Sequence, residues 1–388
     1  MSSRGTARTV GMGFVAPVLS VLVLAAGALL QAPPATASAP SVAGTAYRLT
    51  AVDIADNGGR IQWVGPNGED YDPRWNPDKV NTRETPWKSI YWAIRQAQPG
   101  DTIVVLEGTY VEAAGWGARR GTAARPITLQ AEPGAKVTLV GTLQLDRADY
   151  WTVTGLTITD NLSRSMPAFL VKFNGGTGWR FVNNEVYGSR SVSNVMVTGT
   201  LEPPRNYLIA GNCIHDVKPG SRTKGNDHNL YLMPGVSSGP GVVERNVIFG
   251  APNGANIKAA GNASSASPHE VSIRYNTLAK AAAGITVGLK TTEVSMTRNL
   301  IGLRMPLNTA QWGGFDAGVK GYSLSGRGNS VTDSAIYSYP NPVRVNAASS
   351  AKIATSGVKK IDPRWNAVGC SALVPTNSAA AAYGHLAR

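Results

Sequence analysis

Lys258 is the residue best suited to proton chemistry in this sequence. It stands in the run Asn256-Ile257-Lys258-Ala259-Ala260, and Arg274 follows sixteen residues later. A lysine amine acts as a general base when burial and nearby cations lower its pKa toward working pH. Such a base removes a proton from carbon beside a carboxylate once that carboxylate is neutralised, which is the first step of β-elimination from a uronate sugar. Strand alternation places Arg274 over Glu244 of the preceding coil. A cluster of Lys258, Arg274 and Glu244 on one face is therefore expected, with Lys258 and Arg274 as the catalytic pair.

Around Lys258 the chain supplies groups suited to an anionic sugar polymer. The segment between Asn212 and Asn246 carries Asp216, Lys218, Arg222, Lys224, Asp227 and His228 and is rich in glycine. Long loops on rigid scaffolds commonly carry function. Three short phrases, Asn194-Val195-Met196, Asn229-Leu230-Tyr231 and Asn256-Ile257-Lys258, are followed by Gly284-Ile285-Thr286. Alternation puts Val195, Leu230, Ile257 and Ile285 in one inward column. Their neighbours then form two outward ladders, Asn194/Asn229/Asn256 and Met196/Tyr231/Lys258/Thr286. Arg222, Lys224, His228, Asn229, Tyr231 and Asn256 are accordingly the expected substrate-binding residues. Hydrolysis by paired carboxylates finds only Asp216, Asp227 and Glu244, scattered along the chain. No His or Cys spacing suits a metal, so no metal ligands are assigned.

The elements that must position these residues are announced by a repeat. An Asn, one variable residue and an aliphatic recur at Asn184, Asn212, Asn246, Asn276, Asn299 and Asn329, at intervals of 28, 34, 30, 23 and 30 residues. Repeats of this length indicate a stacked architecture in which no unit buries its apolar face alone. Each Asn is preceded by a short β-branched run, such as Val271-Ser272-Ile273, and not by a helical pattern. The fold expected is an all-β solenoid, a right-handed parallel β-helix with an Asn at each corner. Gly155-Leu156-Thr157-Ile158 lies one period before Asn184 and reads as the first corner, with Gly155 in place of Asn. The expected layout is a secretory leader over 1–39 and lead-in strands and loop over 40–85. A β-helix follows over 86–350, and a tail over 351–388 packs on its C-terminal end.

Ahead of the coils, Thr85-Pro86 looks like a helix start, with Thr85 as N-cap and Pro86 at the first helical position. Ile90, Ala93, Ile94 and Ala97 recur at helical spacing, so a helix over 86–98 is expected to cap the open N-terminal end of the stack. The leader is read from Arg4 and Arg8, the apolar stretch from Gly11 to Leu30, and small residues allowing a cut after Ala37 or Ala39. Export is therefore expected, with no membrane attachment once the leader is cut. Losing Arg4 and Arg8 lowers the formal net charge from +13 to +11. Scattered positive charge without a Lys/Arg block or nucleic-acid module favours an acidic polysaccharide as partner over nucleic acid. A monomer is expected. Cys213 and Cys370 are even in number, so export permits one disulfide between them and leaves its formation open.

Two stretches carry a family resemblance. Pro86-Trp-Lys-Ser-Ile90 with Ala93-Ile94, then Pro99-Gly100-Asp101-Thr-Ile-Val-Val105 and Gly108-Thr109-Tyr110, resemble the opening of secreted β-helix proteins of the pectate-lyase-like superfamily. Asn256 to Ala260 followed by Arg274-Tyr-Asn-Thr-Leu278 is similar to the chondroitin/alginate lyases of that fold. The resemblance implies a polysaccharide lyase with Lys258 as base. It brings calcium with it as an open cofactor, since the residues themselves establish none. The sequence departs from the family in lacking a second Arg in Gly284 to Gly288, and Asn256 stands near where an acidic calcium ligand would be. A uronate C5-epimerase shares the same proton abstraction, and a non-catalytic glycan-binding or cell-surface protein is the alternative from another class.

Overall fold

The computed structural model describes residues 53–160, 168–218, 225–261, 263–307 and 314–387. The expected leader, and with it the reading of export, lies outside them.

β-branched runs of three to six residues, each ended by a turn, build three faces of parallel strands that wind about a common apolar interior. The first face is an 11-stranded sheet running from Ile61–Val64 through Gly241–Glu244 and His269–Arg274 to Ala354–Ser356. The second and third faces form one 16-stranded sheet among the described residues. They are joined because the strands Val247–Ala259 and Thr277–Gly288 run straight through the corner between them, with a register irregularity between Ala251 and Ala255. Val195, Leu230, Ile257 and Ile285 pair in register and are buried, forming the inward column read from alternation.

The corner between the first and second faces explains the Asn repeat. The chain turns there through a left-handed residue: Asn183, Gly211, Arg245, Tyr275 or Arg298, with φ between 52° and 63°. Glycine alone takes this conformation without strain, so the corner needs compensation where Arg or Tyr occupies it. The next residue supplies it. The Asn212 backbone N–H donates to Asn246 Oδ1 at 3.0 Å, and that of Asn246 to Asn276 Oδ1 at 3.0 Å. The Asn246 amide donates to Ile209 O and to Asn276 Oδ1. The ladder runs unbroken from Asn184 to Asn299, every member fully buried.

Two corner assignments change. Asn329 opens a first-face strand, Ser330–Thr332, and the corner of that coil is Ser334, whose hydroxyl accepts from the Asn299 N–H at 3.2 Å. Coils through Thr102–Val105 and Ile127–Ala131 precede Trp151–Thr154, so Gly155 is not at the first corner; it holds the left-handed position of its own, and Leu156 holds the Asn slot, its N–H donating to Asn184 Oδ1. The phrase was read one residue early because Gly marks the turn and the ladder residue follows it.

The helix is shorter than its sequence signals. Trp87 pairs as an extended bridge with Val64, so Pro86 precedes the helix at a distance and Thr85 does not cap it. Helix α1 spans Ile90–Gln96 with Ser89 as N-cap, its hydroxyl accepting from the Trp92 N–H at 3.0 Å. Ile90, Ala93 and Ile94 are buried against the strands Ile61–Val64, Thr102–Val105 and Ala113–Ala114. Ser89→Ala is expected to lower stability by about 1 kcal/mol, read as a shift of the urea midpoint at constant slope.

The tail has two parts. Its first residues add the last rung of the first face, Ala354–Ser356, with Ile353 in the main core, and the rest folds back along the second face. Cys370 is bonded to Cys213, 157 residues earlier, and Leu373 and Trp365 pack against Val247, Phe249 and Ala279. Further on, the Gly384 N–H donates to Arg298 O, and Arg245 Nη1 donates to the carbonyls of His385 and Ala387. Apolar residues on the outward side of that face give the tail a surface to cover. The two Asp-Pro-Arg-Trp-Asn phrases share a turn, the Asp carboxylate accepting from the Arg N–H two residues on. They part thereafter, since Trp365 packs under the tail whereas Trp75 is exposed. No helix among the described residues is long and apolar enough to cross a membrane.

Candidate functional site

The third face carries one outward column whose register follows from its strand pairings: Lys172, Met196, Tyr231, Lys258, Thr286, Lys320 and Arg344. Its middle borders a cleft of about 460 Å³ lined by Met196, Tyr231, Met233, Lys258, Leu289 and Tyr322 among others. Apolar walls around few polar groups are the usual make-up of a ligand cleft.

Lys258 is 7% exposed, and its Nζ lies 4.5 Å from the centroid of the Tyr231 ring. Burial pushes its pKa down to about 8. The Tyr231 hydroxyl is pushed up to about 12 by burial, and that of Tyr322 is raised by burial and by Tyr231, so both stay protonated donors at neutral pH. His228 packs edge-on to Tyr231 with ring centroids 5.4 Å apart, and its Nδ1 accepts from the Ala255 N–H at 3.0 Å. Burial, and then the neighbouring Lys258 charge, hold its pKa well below the ordinary value. The ring is therefore neutral, with its proton on Nε2.

Of the residues expected here, Lys258, Tyr231 and His228 come together. Arg274 does not. It does lie over Glu244, with Nε 2.7 Å from Oε2, but both are on the first face. The sixteen residues after Lys258 carry the chain off the third face and onto the first, so the Lys–Arg–Glu cluster is not formed and Arg274 leaves the candidate catalytic pair. Asn229 and Asn256 do not project outward either. With Asn194 they form a second buried ladder, at the corner between the second and third faces. Asn194 Nδ2 donates to Asn229 Oδ1 at 2.8 Å, and Asn229 Nδ2 donates to Asn256 Oδ1 at 2.9 Å. Their amides are committed to corner carbonyls, so they hold the strand of Lys258 and are turned away from any substrate. Arg222 and Lys224 lie outside the described residues.

Lys320 and Tyr322 were not found from sequence. Their coil passes from the corner to the third face in 21 residues, against 12 from Asn246 to Lys258, and taking Asn329 as a corner hid the register. Calcium does not fit the donors present. The ion takes six to eight oxygens, yet the described lining of the cleft includes no carboxylate and one side-chain amide, that of Asn226, while Asn229 and Asn256 are spent in the ladder. The one cluster of His, Cys, Asp or Glu ligand atoms among the described residues is Cys213, His215 and Cys370, whose two sulfurs are bonded to each other.

Comparison with known proteins adds the following. The family model for chondroitinase B matches residues 85–177, about a quarter of the chain, which takes in α1, the first coils and, of the cleft lining, Ala168. Among curated proteins no sequence matches. Solved structures with the same fold include XylC in complex with xylose, at 13% identity and a TM-score of 0.52, covering 76% of this chain and 70% of that one. A glycoside hydrolase, at 9% identity and a TM-score of 0.52, covers 78% and 97%. The GH136 lacto-N-biosidase from Eubacterium ramulus, at 14% identity and a TM-score of 0.50, covers 78% and 67%. Likeness at such identities speaks to the fold. With the three stacked parallel faces, it makes the chain a right-handed parallel β-helix protein.

Proposed function

We propose that this protein is an exported enzyme that cleaves a uronate-containing acidic polysaccharide by β-elimination. The observation that carries the reading is Lys258, an amine held in a cleft with its pKa brought down to about 8. The match of residues 85–177 to chondroitinase B supports the substrate class. The formal net charge, +13 for the whole chain and +11 without the leader's Arg4 and Arg8, favours an anionic polymer.

The neutral Lys258 amine takes the C5 proton of the uronate. The C5–H electrons form the C4–C5 double bond, and the C4–O4 bond breaks. The leaving oxygen takes a proton, for which the Tyr231 and Tyr322 hydroxyls stand in the same cleft. Neutral His228 adds no positive charge against Lys258, and the buried Asn194/Asn229/Asn256 ladder holds the strand beneath it. Return of the proton to the opposite face of C5 would instead give epimerisation.

The test is an ultraviolet assay for the unsaturated product on chondroitin sulfate, alginate and pectate, with and without calcium. Turnover of at least one polymer, undiminished by chelator, is expected. Binding to these polymers without any product would establish the glycan-binding alternative, and proton exchange at C5 without cleavage would establish the epimerase.

A further inference from the structure

The register of the third face sets Lys258, Thr286 and Lys320 on three successive rungs of one column. Rungs are about 4.8 Å apart, so the two lysines are separated by roughly 10 Å along the axis with Thr286 between them. Thr286 is 3% exposed and Lys320 2% exposed. Neither Thr286 Oγ1 nor Lys320 Nζ has a hydrogen-bond partner among the described residues. The Lys320 Nζ rests 4.0 Å from the centroid of the Phe315 ring. A cation–π contact of this kind offsets only part of what an ammonium loses when it is taken from water without a partner. A purely structural position would be filled as well by Met or Leu.

The charges facing Lys320 leave a surplus of cations. Asp316 is the one acid acting on it, and one oxygen of Asp316 is taken by Arg344, with the Asn341 amide donating to the same oxygen at 3.0 Å. Lys320 and Arg344 thus share a single carboxylate. Burial, then Arg344 and Lys258, outweigh Asp316 and bring the Lys320 amine down to about 8. An incoming anion would reverse that shift.

We propose that Lys320 and Thr286 form an anion subsite beside Lys258 that takes the carboxylate of the uronate residue undergoing elimination. The inference rests on the lyase reading for its purpose, though the subsite exists without it. Tyr322, two residues beyond Lys320 on the same outward side, lines the cleft and marks the way in. The carboxylate accepts from Lys320 Nζ and Thr286 Oγ1, satisfying both. Its charge is then neutralised next to the C5 proton that Lys258 removes. Lys320 acts through the substrate carboxyl in the part a metal ion would otherwise play.

Two measurements on the full-length protein test this. The first follows the side-chain resonances of Lys320, assigned with Lys320→Met, through a pH titration. Oligosaccharides of chondroitin sulfate, alginate and pectate are added in turn, each also with its carboxyls methyl-esterified. A cognate acid oligosaccharide should raise the Lys320 midpoint by about one unit or more, and its ester should not. The second compares kcat/KM on acid and ester. The parent should prefer the acid, Lys320→Met should lose about 10-fold or more on the acid and most of that preference, and Lys320→Arg should recover part of both. A Lys320 midpoint unmoved by all three acids, or an unchanged acid preference in Lys320→Met, overturns the subsite. If the parent cleaves nothing but the Lys320 midpoint still rises, the lyase reading falls and the subsite stands.

Discussion

Replacing Lys258 with alanine is expected to reduce elimination by about 10³-fold while leaving polysaccharide binding nearly intact. A positioned general base contributes 10²–10⁴-fold, and the nearest other amine of the column, Lys320, stands two rungs from Lys258. Lys258→Arg should be almost as inactive, because a guanidinium remains protonated throughout the working range. The pH profile of the parent carries the sign of the mechanism. With the amine at about 8, roughly one molecule in ten has a neutral base at pH 7, so the rate should climb through pH 8 and level off above it. Stability moves in the same direction. The ordinary lysine value is 10.5, so between about pH 8 and 10.5 the unfolded chain holds a proton that the folded protein has released. Stability therefore rises with pH across that window, and Lys258→Ala should flatten part of the rise. Parent-like turnover in the alanine variant, measured on the same polymer, would remove Lys258 from the mechanism.

Replacing Asn246 with leucine is expected to lower stability by about 4 kcal/mol. Its Oδ1 accepts from both the backbone N–H and the side-chain amide of Asn212, and its own amide donates to Ile209 O and Asn276 Oδ1. Leucine leaves two buried N–H groups without an acceptor, at about 1–3 kcal/mol each, and an orphaned carbonyl besides. Asn329→Leu provides the comparison. That Asn accepts only from the Val294 N–H and donates to the carbonyls of Thr291 and Gly326, so it clamps a turn without continuing the ladder. Its loss should be about half as large. Equal shifts of the two urea midpoints would show that membership of the ladder adds nothing to a buried Asn.

The site was legible from sequence where a single strand carried it. Lys258 and Tyr231 were placed in one outward column because period-2 alternation within a strand and pairing between neighbouring coils are both local rules. The same rule misplaced Asn229 and Asn256. The strand of Lys258 runs through a corner, and there the Asn turns inward to satisfy backbone groups that the bend leaves unpaired. Arg274 was misplaced for a related reason. Its stacking over Glu244 is a same-face relation and held, whereas its company with Lys258 required knowing which face each strand occupies.

From the sequence alone came the coil count near Asn184 to Asn299, the inward column of Val195, Leu230, Ile257 and Ile285, and the amine fit for proton abstraction. All follow from short-range periodicity, which is written in residue order. Only the tertiary structure decided that Asn329 is no corner, that the tail lies along the second face under a Cys213–Cys370 bond, and that Lys320 and Tyr322 join Lys258. Those depend on loop lengths that vary from coil to coil. Within a coil the chain can spend residues in a loop without disturbing the stack, so contacts across rungs are set by strand pairing and are invisible to spacing.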